Sequence, residues 1–422
     1  MRGKCTCAGL CALAALSMAL AWPAPASAQA NDVLGPQAFD GNIDLRASVA
    51  GGETSWLDGG FGKLRYGGDD GETKARAQVA SADLAWKPQF SFNLSGLVSV
   101  THQAGQSTAI DLNEAFLSYR SGPAPTSFSA RAGAFWPPIS EEHGGSTWQV
   151  TDSITPSAVN SWVSEEVKVL AFEGKLEHRF AGQQLALTAA VFEHDDMAGT
   201  LLSYRGWALH DMRMTVWGHF PLPPLSPSKT AYQDQITNPF WEVDGRAGYY
   251  ARIDWQTPWP VSVNLFRYDN RGDRLSSYDL QTAWRTRFWN AGAMASLGAR
   301  TVAKAQVLWG NTQVGPQTPY GYPADVDFAA AYLLLSRELG GGKLTARGDW
   351  FKTHDNSFVA SDNNNEHGWS TMLAYKHPLT HFADAIVELL HVESDRPARV
   401  TNAAIAAEQN QTQLQTSLRL GF

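Results

Sequence analysis

The sequence predicts an all-β fold, a transmembrane antiparallel up-and-down β-barrel of sixteen strands, and three observations predict it. The last residues alternate strictly: Leu414, Thr416, Leu418, Leu420 and Phe422 share one face, and Gln413, Gln415, Ser417, Arg419 and Gly421 the other. Connections between such stretches alternate between short and long, the layout of a barrel with tight turns on one side of a membrane and longer loops on the other. Aromatic residues gather at the ends of the stretches, where amphipathic rings meet the headgroup layers.

The amino terminus comes first in the chain and is not part of the barrel. Arg2 and Lys4 make a basic start, Leu10 to Ala21 is a short apolar run, and Ala26-Ser27-Ala28 is a small-residue cleavage site, so residues 1–28 read as a signal peptide. Cys5, Cys7 and Cys11, the three cysteines of the chain, leave with it. The exported protein then has no disulfide, no thiol nucleophile and no cysteine metal site. Leu10 stands before Cys11 where a lipid-anchored terminus wants a small residue. A net charge of -8 argues against nucleic acid as a partner. No apolar run after the signal approaches the ~20 residues of a membrane-spanning helix. The mean hydropathy of -0.27 excludes only helices, because lipid-facing and water-facing residues of a barrel strand cancel in the average.

Residues 29–422 form a single barrel domain. Short turns are expected at 87–89, 121–127, 181–183, 257–258, 297–300, 339–342 and 378–380, and longer polar loops at 51–74, 103–108, 137–164, 195–240, 270–276, 312–324, 355–366 and 394–408. Seven turns and eight loops in strict alternation require sixteen strands, and roughly 25 residues per strand and connection suits strands of about 9–11 residues in lipid. The pattern is clean near 89–101, 127–136, 183–194, 241–255, 277–289, 343–354, 367–377 and 409–422. Strands near 75–86, 165–179 and 293–311 change phase midway, which a bulge would explain. An extra hairpin around Phe61 to Tyr66 would make eighteen strands, and another could lie at 207–218 within a proline-rich fourth loop read as an outer cap. Trp86, Tyr119, Phe128, Phe180, Trp255, Trp259, Tyr375, Phe382 and Phe422 mark the short-turn end, and Trp136, Trp241, Trp309 and Trp369 the loop end.

Function must come from the lumen and loops. The third loop, 137–164, carries Glu141, Glu142 and Asp152 without Lys or Arg, and Glu165 and Glu166 follow it. Arg131, Arg246, Arg252, Arg285, Arg287, Arg347 and Arg419 are expected on the inner wall. If the loop folds inward, its carboxylates face these arginines across a pore constriction, and such a field orients solutes and sets charge preference. If it stays outside, it is a solvated acidic cap, and the arginines pair with Asp244, Asp254, Asp279 and Asp349.

A terminal Phe422 on an alternating strand resembles the closing-strand signal read by the barrel-assembly machinery of bacterial outer membranes. With a signal peptide, sixteen strands and a long third loop, the chain resembles a Gram-negative outer-membrane porin. Asn113-Glu114-Ala115-Phe116-Leu117-Ser118-Tyr119, followed by Gly133-Ala134-Phe135-Trp136-Pro137-Pro138, is similar to the matching strand pair of the phosphate-selective porin O and P type. The resemblance implies residence in outer-membrane lipid, a water-filled channel for small hydrophilic solutes or ions, and a homotrimer. No cofactor is expected.

Three other functions have sequence features of their own. A channel selective for oligosaccharides, aromatic compounds or anions could use Phe135, Tyr250, Phe266 and Tyr268, all expected to point inward, as a stacking track; the alternative is that these rings brace the wall. A barrel hydrolase would draw on His143 beside Glu141 and Glu142, His194 with Asp195 and Asp196, or His210 with Asp211, but no spacing among them forms a metal-ligand pattern. A plugged active transporter needs a globular domain ahead of the barrel, for which the chain has no room between Gln29 and the first strand.

Overall fold

The computed structural model describes residues 33–69, 71–359 and 361–422. The expected signal segment and its cysteines lie outside the described residues. Sixteen antiparallel strands close a ring in chain order. They are β1 Phe39–Ala50, β2 Lys74–Trp86, β3 Leu94–Gln103, β4 Asp111–Arg120, β5 Thr126–Phe135, β6 Val169–Phe180, β7 Gln183–Glu193 and β8 Gly248–Gln256, followed by β9 Val261–Asp269, β10 Arg285–Ser296, β11 Thr301–Val314, β12 Ala324–Leu339, β13 Gly342–Asp355, β14 Glu366–Thr380, β15 Ala383–Asp395 and β16 Glu408–Gly421. Pairing of β1 with β16 closes the ring, and Phe422 completes it: its N–H donates to Gly41 O at 3.1 Å and its carbonyl accepts from Gly41 N at 3.2 Å. Closure leaves the ring without a free edge, the condition for strands to cross lipid. Among the described residues no helix is long and apolar enough to cross a membrane.

The distribution of side chains is the reverse of a water-soluble sandwich. Along β7, Leu185, Leu187 and Val191 are exposed while Ala186, Thr188, Ala190 and Phe192 are buried. Along β16, Gln411, Gln413, Gln415 and Ser417 are buried and Leu414 is exposed. The outer wall is apolar and the inner wall is rich in buried polar groups. Exposed aromatic rings form two bands, Tyr119, Phe128, Phe180, Trp255, Trp259 and Phe382 toward the short turns, and Trp289, Trp309, Trp350 and Trp369 toward the loops. Trp136, expected in the loop-end band, is instead fully buried inside, and Trp241 sits in a loop against Tyr278.

Both the turns and the loops fall close to where the alternation places them, but the strand near 89–101 starts only at Leu94 and two others start later still. The stretch near 241–255 joins the ring only from Gly248, and the stretch near 277–289 only from Arg285, because the preceding residues bond to neighbouring loops. Phase change in β2 is a bulge: Asp44 pairs with Ser81 and Leu45 with Val79, leaving Ala80 over. Those expected at 165–179 and 293–311 are not bulges, since β6, β10 and β11 pair with their neighbours in unbroken register. Neither extra hairpin enters the ring. The segment around Phe61 to Tyr66 is buried and forms only isolated bridges, one of them between Leu64 and Leu209.

Candidate functional site

Segments of the third and fourth loops pack against inward-facing residues of the strands. The third loop carries a short helix, α1 Ala158–Val163, all six residues of which are buried. The fourth carries α2 Ala198–Tyr204, also buried throughout. Trp162 of α1 stands at the centre of a ring cluster, with Phe328 at 4.9 Å, Phe288 at 5.3 Å and Trp207 of the fourth loop at 5.9 Å between centroids. Phe192, Tyr268, Phe266 and Tyr250 continue the cluster along the wall of β7 to β10. Phe135, Tyr250, Phe266 and Tyr268 do point inward, and all are buried at 1% or less. They brace wall against loop.

The motif at 113–138 has a local physical reason. Ser99 pairs with Glu114 and Val100 with Leu112, so Asn113 is a bulge residue and both Asn113 and Glu114 are buried on the inside. Glu114 accepts from Trp136 N at 3.2 Å, and Asn113 Oδ1 accepts from Trp136 Nε1 at 3.3 Å. Lys168, at the far end of the third loop, donates to the same Asn113 oxygen at 3.3 Å and lies over the Trp136 ring. Both ends of the loop are thereby tied to one bulge. Gly133 makes the close approach of β5 to β4 possible: its φ is +143°, and a Cβ would lie 2.1 Å from Ala115 O. Gly133→Ala should cost ~1–3 kcal/mol through backbone strain, read as a lower melting temperature of the heat-modifiable folded band.

The third loop is held to the wall by paired charges. Glu142 accepts from Ser157 N, from Asn160 Nδ2 at 2.6 Å and from Arg347 Nη1 at 3.3 Å. Arg347, on β13, also donates to Thr155 O at 2.7 Å and to Asp349 at 2.9 Å. Wall carboxylates in turn accept loop N–H groups: Asp349 from Ala158 at 3.1 Å, and Glu388 from Ile154 at 2.7 Å and Thr155 at 3.0 Å. Glu141 accepts from Arg252 at 3.2 Å and from Asn264 at 2.7 Å. Asp152 bridges Lys304 at 2.7 Å and Lys343 at 2.8 Å beside a cavity of about 330 Å³. Burial would raise the Asp152 carboxyl, but the two lysines hold it below the usual carboxylate range.

The fourth loop, which the sequence suggests as an outer cap, bonds to the inner wall and to the third loop. Arg213 donates to Asp83 of β2 at 2.8 Å and to Thr147 O of the third loop. Asp211 takes Arg46 of β1 at 2.6 Å and Arg65 of the first loop at 3.0 Å. Burial opposes ionisation of Asp211, and the two guanidiniums override it and lower its pKa. A second buried network, Glu53 with Arg399 and Glu366 with Lys63 and Arg396, ties the first, seventh and eighth loops together.

Two solved structures share this fold over nearly their whole length. The chain aligns with the anion-selective porin from Comamonas acidovorans at a TM-score of 0.52 and 11% identity, covering 91% of this chain and 98% of that one. It aligns equally with the outer membrane channel DcaP of Acinetobacter baumannii, at 0.52 and 11%, covering 92% and 99%. The chain has the sixteen-stranded fold of these channels. No family model and no curated protein matches the sequence.

The residues singled out from sequence divide into three groups within this fold. Arg131, Arg252, Arg347 and Arg419 point inward and are paired, Arg131 with Glu173 while also donating to Trp136 O at the start of the third loop, and Arg419 with Asp44. Arg246 lies in the fourth loop and pairs with Asp273. Arg285 and Arg287 share the outward face of β10 with Trp289, contrary to expectation. Only one residue of register separates the two faces, and residues 277–284 do not join the strand. Lys304 and Lys343 each stand alone in sequence, with no local signal of their role.

His143 and His210 have structural partners. His143 lies between Ser140 Oγ and Glu165 Oε1, both at 2.8 Å, and is stacked on Trp148. Burial pushes its pKa down to about 3 and raises that of Glu165 well above the usual carboxylate range. Ser140 Oγ accepts from the N–H groups of Glu142 and His143 and closes a local turn. His210 joins Glu166 beneath Trp56. Near His194, Glu242 and Asp244 return from the end of the fourth loop to Glu193 and Asp196, a juxtaposition no sequence spacing shows.

Proposed function

We propose that this protein is an outer-membrane channel for diffusion of small hydrophilic solutes or ions, with the third and fourth loops narrowing its lumen. The observation that carries the reading is the ring that is apolar outside and lined inside by paired charges of both signs. On the short-turn half, Glu141, Arg252, Asp254, Asn264, Lys304 and Lys343 are each partly open to water and form the charged rim of the passage. Arg131, Arg347, Glu142 and Asp152 hold the loop behind that rim. Transverse pairs of this kind set charge preference where the path is narrow. Export through a cleaved signal, delivery by the barrel-assembly machinery through the Phe422 strand, and a homotrimer complete the proposal. The resemblance at 113–138 adds anionic solutes as the first class to test.

Planar-bilayer recording of the purified protein tests it. Stepwise ion conductance is expected, and a folded barrel that inserts without ever conducting would overturn it. Replacing Glu141→Gln and Asp152→Asn together should shift the reversal potential toward anions, because Arg252, Lys304 and Lys343 lose their partners. An unchanged reversal potential removes these residues from the narrow part of the path. Fatty-acid release from lipid vesicles, abolished by a His143 change, would instead favour a hydrolase built on Ser140, His143 and Glu165.

A further inference from the structure

The outer wall carries three cations where only lipid would face them. Arg267 of β9, Trp289 of β10, Trp309 of β11, Ala329 of β12 and Lys352 of β13 stand opposite one another on successive strands, a row on the outward face at the loop-side aromatic band. Arg287 lies one step nearer the loops, opposite Asn311. Together they line a groove of about 610 Å³. The Arg267 guanidinium lies 5.2 Å from the Trp289 ring centre, and Lys352 Nζ 5.8 Å from that of Trp350. Among the described residues neither arginine nor Lys352 has an ion-pair partner. Asp327, the acid of the groove, is occupied by the amides of Asn311 and Asn356 at 2.9 Å each.

Cations on the lipid face of a barrel are unfavourable unless a compensating anion meets them. Directly below the row, one step deeper, Leu265, Ala291, Val307 and Ala331 stand opposite one another. The two alanines leave this apolar strip shallow beneath the cations. A ligand that fits must be anionic at the loop end and aliphatic below it, which a free ion is not.

We propose that this groove binds the phosphorylated headgroup of a lipid in the loop-side leaflet. Arg267 and Arg287 would fork its phosphate oxygens, a planar guanidinium being matched to phosphate, with Lys352 supplying a further point charge and the acyl chains lying on the alanine strip. The site rests on the ring's placement in a membrane and not on its conducting, so it stands or falls apart from channel activity.

The test uses the full folded barrel in neutral detergent and native mass spectrometry, with a bisphosphorylated acyl glycolipid and its dephosphorylated counterpart as probes. The wild-type protein should retain the phosphorylated lipid and lose the dephosphorylated one. Arg267→Gln, Arg287→Gln and Lys352→Gln combined should weaken retention about 100-fold, three surface cations acting together, with the heat-modifiable folded band and single-channel conductance unchanged. Equal retention of the two lipids by the wild type overturns the proposal whether or not the variant folds. So does undiminished retention by the variant, or full displacement of the lipid by an equimolar amount of inorganic phosphate.

Discussion

Arg347→Ala should release the third loop from the barrel wall, raising single-channel conductance and costing about 3–5 kcal/mol of stability. Arg347 is fully buried on the inner face of β13 and holds Glu142 and Asp349 together with the carbonyl of Thr155. Its loss leaves two carboxylates in a water-poor interior without their counter-charge, and the carbonyl without its donor. The penalty comes from what is stranded more than from the pair itself. Because Asp349 and Glu142 also receive N–H groups from Ala158 and Ser157, repulsion between them acts directly on the start of α1. Arg347→Lys keeps the charge and loses the fork, and should show a smaller shift in both quantities. Conductance and thermal conversion of the folded band, measured on the same preparations, separate the outcomes. If the variant conducts as the wild type does, this segment does not narrow the passage.

Trp162→Ala should act by a different route with a comparable cost, ~3–5 kcal/mol for a large ring removed from a packed interior. Trp162 touches rings from β10 and β12 and from the fourth loop, and its Nε1 donates to Ala198 O at 3.2 Å. Removing it opens a void between the two loops at the point where they meet. Expected results are a lower melting temperature, increased conductance, and access of a thiol reagent to a cysteine placed at Ala198. Trp289→Ala, on the lipid face of the neighbouring wall, is the control and should leave conductance unchanged. Equal behaviour of the two variants would mean that the ring cluster does not close the lumen.

Much of the barrel was readable because lipid imposes the same demand on every strand. Alternation along 183–194 and 409–422, and the short turns at 181–183 and 297–300, follow from needing one apolar face and fully paired backbone. The interior was not readable in this way. Glu142 had been placed facing arginines across a gap; it bonds within its own loop to Ser157 and Asn160 as well as to Arg347. Asp349 and Glu388 had no assigned partner in the loop, yet they receive its backbone N–H groups. Trp136 had the sequence position of a belt residue and became the anchor of a loop. Each of these depends on which segment returns to which wall, and no local period encodes that.

The sequence by itself determined an all-β ring of sixteen or eighteen strands, the places of its turns and loops, and most of the aromatic bands, since these answer to a solvent that is the same around the whole circumference. Only the tertiary structure decided that the third and fourth loops bond to the inner wall, that Arg285 and Arg287 face outward, and that Asp152 meets Lys304 and Lys343. The physical reason is separation along the chain: Asp152 lies 152 and 191 residues from those lysines. Contacts of that span are fixed by closure of the barrel.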